Sequence, residues 1–328
     1  MKLLQPIMMI TLLAWSLPAQ ALTVVTTLPW LGDITTRLAP SAEVIVLAKG
    51  HEDPHFLSPT PALMAQVGSA EVYVENGMNL ELWSQRLLDG AGNPSIRPGQ
   101  PGYVLASTGV PRMEIPADLT RAKGDIHPEG NPHIWLDPLN VNIAADNIVA
   151  GLVRVDPGNA ASYRKRADSL RQEIYSRLFG DDLVAFMGGP TLEKLARSGR
   201  LHEFLEKKAL TERLGGWLGS APPGRKVVYY HKSWAYLNNR FGIEEVGVIE
   251  DRPGVAPSAG HKDRLAAAIA AKGCDRVAVT TYYNDRVAKV ISEQTGVKLV
   301  RLPGDVGGTP EAIDYFSFMD QLIVTLYQ

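Results

Sequence analysis

Two short segments of this 328-residue chain place a histidine directly after a proline and an acidic or amide residue: Asp53-Pro54-His55-Phe56-Leu57-Ser58-Pro59 and Asn131-Pro132-His133-Ile134-Trp135-Leu136-Asp137-Pro138. In each, the pyrrolidine ring fixes φ of the preceding residue near −65°, which limits where the imidazole can point. Imidazole is the commonest protein ligand for borderline metals, so two rigid presentations far apart in sequence suggest halves of one site assembled by folding. His231 is a third candidate, in Tyr229-Tyr230-His231-Lys232-Ser233-Trp234-Ala235-Tyr236, where an apolar run stops and an amphipathic one begins. A capping or core role is its alternative. Of the 7 histidines, His202 stands on a helical stretch without an obvious partner and is expected in solvent. His51 and His127 precede the two motif histidines closely enough to visit a metal or to hang at a cleft mouth. His261, after Pro257-Ser258, reads as a surface or supporting residue.

The elements that must carry these residues follow from periodicity. Short β-branched runs alternate with amphipathic stretches: strands over 22–26, 43–47 and 71–75, with helices over 31–38 and 60–67 between them. Gly90–Gly102 and the polar stretch 112–132 read as surface excursions of the same lobe. Past Pro157, Tyr163, Ala167, Leu170, Ile174 and Leu178 recur at helical spacing, which predicts one long amphipathic helix. Gly188-Gly189-Pro190 interrupts it and 191–218 continues it. Alternation resumes with strands over 226–230, 245–249, 276–280 and 298–302 and helices over 233–241, 258–272, 286–295 and 310–326. The expected architecture is therefore α/β: a first lobe over 22–155, a helical connector over 156–221 and a second lobe over 222–328. Ligands of open parallel sheets bind beyond the carboxyl ends of strands. His55, His231 and Asp305 all follow strands, so a cleft site between the lobes is expected.

Composition is that of a folded, water-soluble protein, with 45% hydrophobic and 21% charged residues. A net charge of −2 offers nothing to nucleic acid or an anionic membrane. Lys2, the apolar run Ile7–Trp15 and Pro18-Ala19-Gln20-Ala21 have the form of a cleavable signal peptide over 1–21. The run is too short to span a bilayer, which takes about 20 apolar residues. No cysteine follows it to carry a lipid, so a soluble periplasmic protein is expected. Cys274 stands alone and reads as a small buried residue rather than a thiolate ligand.

The two Asx-Pro-His motifs, together with His231 followed by Trp234-Ala235-Tyr236 and Arg240-Phe241-Gly242, resemble the periplasmic zinc/manganese receptors of bacterial ABC importers (cluster A-I solute-binding proteins). The likeness extends through Pro253-Gly254, Pro257-Ser258 and the closing Val306-Gly307-Gly308. It implies two α/β lobes bridged by a long helix, with one metal ion between them. The implied ligands are His55, His133, His231 and, by a looser match, Asp305. A longer stretch from Leu178 to Leu218 and the lack of a long His/Asp-rich loop depart from the pattern. Three imidazoles and a carboxylate suit Zn²⁺, whereas a Mn²⁺ site, the alternative, is expected to contain more oxygen. A zinc hydrolase would also use three histidines but needs a positioned base, and no G-x-S-x-G occurs. Glu52 is the one base on offer. A receptor for a metal chelate would use the same lobes with an Arg- or aromatic-lined cleft. The reading is a monomeric, non-enzymatic receptor that captures zinc and delivers it to an inner-membrane permease with an ATPase subunit. Loop rearrangement rather than wide hinge motion is expected.

Overall fold

In a computed structural model of the chain, residues 21–117, 127–251 and 255–328 are described. The leader read over 1–21, except Ala21, lies outside them, as do Pro253 and Gly254. The first sheet is parallel, with β1 (Thr23–Thr26), β2 (Glu43–Val46), β3 (Val72–Glu75) and β4 (Tyr103–Leu105) in the order β2-β1-β3-β4. Helices α1 (Pro29–Leu38), α2 (Pro61–Gly68) and α3 (Ser84–Ala91) make its crossovers, and α4 (Pro138–Val155) follows β4. Pro occupies the first helical positions of α1, α2 and α4, where its missing N–H costs nothing. The Thr60 side chain caps α2 at Leu63 N and the Asp137 side chain caps α4 at Leu139 N.

The long α5 (Ala160–Phe179) packs on α1 and α4, and is followed by α6 (Asp181–Met187), α7 (Gly189–Arg197), α8 (Leu201–Lys207) and α9 (Gly216–Ser220). The sequence placed the first break near Gly188. It comes at Gly180, which has φ +84° and lies so close to Gly215 that a Cβ would sit 2.7 Å from that residue's Cα. The second sheet repeats the first, with β5 (Lys226–Tyr229), β6 (Glu244–Val248), β7 (Arg276–Thr280) and β8 (Lys298–Leu302) in the order β6-β5-β7-β8, all parallel. Its helices are α10 (Ala235–Phe241), α11 (Ala259–Lys272), α12 (Arg286–Thr295) and α13 (Tyr315–Tyr327).

Most elements fall within a residue or two of their expected places. β4, α3 and α4 were not singled out: a three-residue strand shows no alternation, α3 is a short helix that runs into Gly92, and α4 is buried on most of its surface, which erases polar contrast. The last helix starts at Tyr315, not near Pro310, because Asp314 and Ser317 form a reciprocal capping box there. The two sheets do not have separate inner cores. One cluster runs from Val24, Trp30 and Trp135 through Tyr175 and Phe179 to Val227, Phe241 and Met319, and each lobe adds a small outer cluster. Direct bonds also join the lobes. Arg240 pairs with Asp137 through Nε at 2.8 Å and a terminal nitrogen at 2.7 Å, both side chains being 5% exposed. Trp135 Nε1 donates to Gly304 O at 3.1 Å, and Tyr315 N donates to the Asp33 carboxylate at 3.0 Å. No helix among the described residues is long and apolar enough to cross a membrane.

Candidate metal centre

The carboxyl ends of the strands converge on four imidazoles. His55 follows β2, His127 and His133 follow β4, and His231 follows β5. His55 is the hub: its ring centroid lies 5.1 Å from that of His127, 5.4 Å from His133 and 6.2 Å from His231.

Both Asx-Pro-His motifs work as brackets. Asp53 Oδ1 accepts from the His55 backbone N at 3.1 Å and from its ring Nδ1 at 2.6 Å. Asn131 Oδ1 does the same for His133, at 3.1 and 2.9 Å. This is an Asx turn extended to the ring of the second residue on, so the acidic or amide residue aims the imidazole as much as the proline does. The proline carbonyls are pinned as well, Pro54 O by Trp83 Nε1 at 2.8 Å and Pro132 O by Asn76 Nδ2 at 3.0 Å. His231 has no such bracket. Its Nδ1 meets Glu250 Oε2 at 2.9 Å, from the end of the neighbouring strand β6. His127 Nδ1 meets the backbone oxygen of Asn79 at 3.1 Å.

These partners decide where the ring protons sit. A backbone carbonyl and a carboxylate only accept, so Nδ1 of His55, His127 and His231 must carry the hydrogen. Asn131 directs its Nδ2 to Lys232 O and Glu114 Oε2, which leaves its oxygen to accept from His133 Nδ1. His55, His133 and His231 therefore keep Nε2 as a lone pair. His55 Nε2 lies 3.2 Å from His127 Nε2, and His133 Nε2 is buried with no hydrogen-bond partner. Nitrogens about 2.0–2.1 Å from one tetrahedral zinc would stand about 3.3–3.4 Å apart, so the spacing suits a shared ion. Orienting partners on the second ring nitrogen are what metal-bound histidines usually have. Among the described residues, no group of three or more His, Cys, Asp or Glu is placed to hold a metal ion as it stands. The rings are gathered but must turn to close on an ion.

Electrostatics favour a neutral His133. Burial, then the neighbouring His55, His127 and His231, push the His133 pKa well below its ordinary value. Burial alone would raise the Asp53 carboxyl, but the hydrogen bonds and charge of His55 bring it below the usual range. Asp305 is placed differently from the histidines. It lies just beyond β8, 5% exposed, and its Oδ1 accepts from Trp30 N at 3.0 Å and Val306 N at 2.7 Å. It thus caps α1, whose own N-cap residue Leu28 offers no side-chain acceptor, and not α13. Its Oδ2 is buried without a partner, and burial pushes its carboxyl well above the ordinary value.

The remaining candidates separate cleanly. Glu52 pairs with Lys49 at 3.3 Å on the surface, and His51 is exposed. His202 lies half-buried on α8, and His261 Nε2 bonds Val248 O at 2.8 Å at the start of α11. Cys274 is buried. Sequence reasoning missed Glu250, although a carboxylate directly after a strand was a visible signal. It also missed Glu81. That buried side chain accepts from Thr27 Oγ1 at 2.6 Å, Asn76 N at 2.7 Å and Gly77 N at 3.0 Å. It braces a turn in which Gly77, Met78 and Asn79 all have positive φ, of 90°, 57° and 58°. The two non-glycine residues cost of order 1–3 kcal/mol each in that region, and the turn delivers Asn76 to Pro132 and Asn79 O to His127. Burial, followed by the charge of Glu75, pushes the Glu81 carboxyl up to about 8.

Comparison with known proteins bears on this site. The family profile described as "ZnuA: Zinc-uptake complex component A periplasmic" matches residues 24–176 and 205–328. The unmatched 177–204 falls in the stretch whose extra length the sequence had already marked. The chain is 24% identical over 318 residues to the iron-binding protein YfeA of Yersinia pestis, covering 94% of this chain and 86% of that one. It is 22% identical over 260 residues to the high-affinity zinc uptake system protein ZnuA of Bacillus subtilis, covering 78% and 69%. Its fold is similar to that of the solute-binding protein FpvC of Pseudomonas aeruginosa, solved with Mn²⁺, at a TM-score of 0.69 and 20% identity over 94% and 99% of the two chains.

Proposed function

This chain belongs to the ZnuA family of metal-binding receptors of ABC importers, and on that premise we propose that its cargo is zinc. Receptors of this family are transport components, not enzymes: they bind a metal ion outside the cytoplasm for an ABC permease, and this chain does the same. The proposal concerns which ion and which ligands. One observation carries it: four imidazoles share one cluster with every Nδ1 proton engaged elsewhere. A nitrogen-rich set favours Zn²⁺ over Mn²⁺, which prefers oxygen.

The ligands we assign are His55, His133 and His231, with a fourth position taken by Asp305 or His127. For His127 speaks its 3.2 Å approach to His55, and for Asp305 its buried, unpartnered Oδ2. Cobalt as a spectroscopic stand-in separates them, since the variant among Asp305→Ala and His127→Ala that leaves the spectrum unchanged has lost no ligand. Manganese is the second reading, favoured by any arrangement that brings the Asp305 oxygen into the shell. Delivery to a permease with an ATPase subunit, a monomeric receptor, release into the periplasm by cleavage after Ala21, and division of the mature chain at 155 and 221 complete the proposal.

The deciding experiment is the metal content and stoichiometry of protein purified from periplasm, followed by titration with zinc, manganese and iron. One zinc per chain, bound more tightly than the other two, is expected. At a hundred times its Kd, zinc should add about 2.7 kcal/mol to stability and raise Tm. A preference for manganese or iron in both measurements refutes the assignment.

A further inference from the structure

The cluster opens into a cavity far larger than a metal ion needs. It holds about 570 Å³, and its wall includes His55, His231, Phe56, Leu82, Trp83 and Arg86. That volume lies within the roughly 300–1,000 Å³ of sites for small organic ligands. Beside the histidines and their carboxylate partners Asp53 and Glu250, its wall also carries groups that a bare cation does not use. Phe56 is 73% exposed and Leu82 64% exposed at its rim, so apolar surface faces solvent where a hydrated dication would have to pass. Arg86 is exposed on the same wall and makes no hydrogen bond or ion pair among the described residues, and a guanidinium there offers nothing to a bare divalent cation. The same group pairs readily with a carboxylate, in two parallel hydrogen bonds.

We propose that this receptor takes its metal together with a small carboxylate chelator, an amino acid or a hydroxycarboxylate. The metal lies at His55, His133 and His231, the chelator takes the fourth position in place of Asp305 or His127 and rests its body on the apolar wall, and a free carboxylate of the chelator pairs with Arg86. The proposal rests on the metal-receptor reading above and adds to it the ligand that accompanies the ion. Exposed apolar side chains then have a partner of matched size, and the unpaired cation becomes a device that selects a chelated ion over a free one.

Native mass spectrometry of the full chain tests this, using zinc alone, zinc with L-histidine and zinc with citrate. Wild type should carry one zinc in the first sample, and one zinc with one chelator in at least one of the others, which also tells the amino acid from the hydroxycarboxylate. Arg86→Gln should carry zinc but no chelator, and Arg86→Lys should recover part of the retention because it restores the charge. In excess of the retained chelator, apparent zinc affinity should fall at least about tenfold further for Arg86→Gln than for wild type, roughly one charge-assisted pair. If zinc arrives alone in every mixture, and both proteins lose affinity only as competition in solution requires, the proposal is wrong. The cavity then serves another occupant, such as a permease segment. Failure to bind zinc in the first sample would instead overturn the zinc assignment on which the proposal stands.

Discussion

The two lobes have the same strand order and the same parallel connections, yet they hold their histidines by opposite means. In the first lobe, His55 and His133 are fixed by a neighbour two residues away, Asp53 or Asn131, and the prolines between are pinned by Trp83 and Asn76. In the second lobe, His231 depends on Glu250, nineteen residues on and at the end of the adjacent strand. A local bracket survives small shifts of the sheet because ligand and orienter move together. A cross-strand partner does not. The first lobe therefore holds its two histidines largely prebuilt, and the second holds a histidine whose aim depends on the pairing of β5 with β6, where the register slips between Val227 and Val228. Asn131 links the halves, since its Nδ2 donates to Lys232 O, next to His231.

The largest effect should come from cutting the lobes apart. Arg240→Ala leaves the Asp137 carboxylate buried without its partner, for which about 3–5 kcal/mol of destabilisation is typical. Denaturant unfolding measures it, and a loss under about 1 kcal/mol would show that the shared apolar core and the other inter-lobe bonds hold the lobes without this pair. Ligand removal comes next. His133→Ala should weaken zinc binding by at least about a hundredfold in calorimetry, because it deletes a buried ligand of the rigid half, while His202→Ala should leave it unchanged. Equal affinities for the two variants would refute the assignment.

Removing orienters probes the contrast itself. Loss of such a partner typically costs about 10–100-fold in metal affinity. Glu250→Ala should sit at the upper end of that range and Asn131→Ala at the lower, because Pro132 still restrains His133 when its bracket is gone. The reverse order would mean that local bracketing, not the cross-strand contact, is the more sensitive device.

The smallest effect is a pH dependence. A carboxyl raised from 4.5 to about 8 binds its proton more tightly folded than unfolded. Glu81 thus favours the fold fully below about pH 4.5, and that contribution fades as pH rises through about 8. Wild type should accordingly lose Tm relative to Glu81→Gln between those limits. A constant difference across the range would show that Glu81 is ionised throughout, held so by its three donors.

Much of this was legible in the linear chain because its causes are local. Alternation of β-branched runs with helical stretches fixed nearly every strand and helix of both lobes, since those patterns report burial of one face. His55, His133 and His231 stood out because proline and strand ends restrict them within a few residues. Elements without internal contrast, β4 and α4, left no such mark, and neither did the break at Gly180, which depends on contact with Gly215.

What sequence alone determined, then, was the class of fold, the family resemblance and three of the four clustered histidines, all set by spacing along the chain. Tertiary structure decided the rest. It brought His127 to within 3.2 Å of His55, joined Glu250 to His231, and turned Asp305 to cap α1, which begins 276 residues earlier at Pro29. It also placed Arg86, unpaired among the described residues, on the wall of the cavity that His55 and His231 line. Each of these is a meeting between distant segments, set by how two sheets pack through one core and carrying no periodicity that a linear pattern could show.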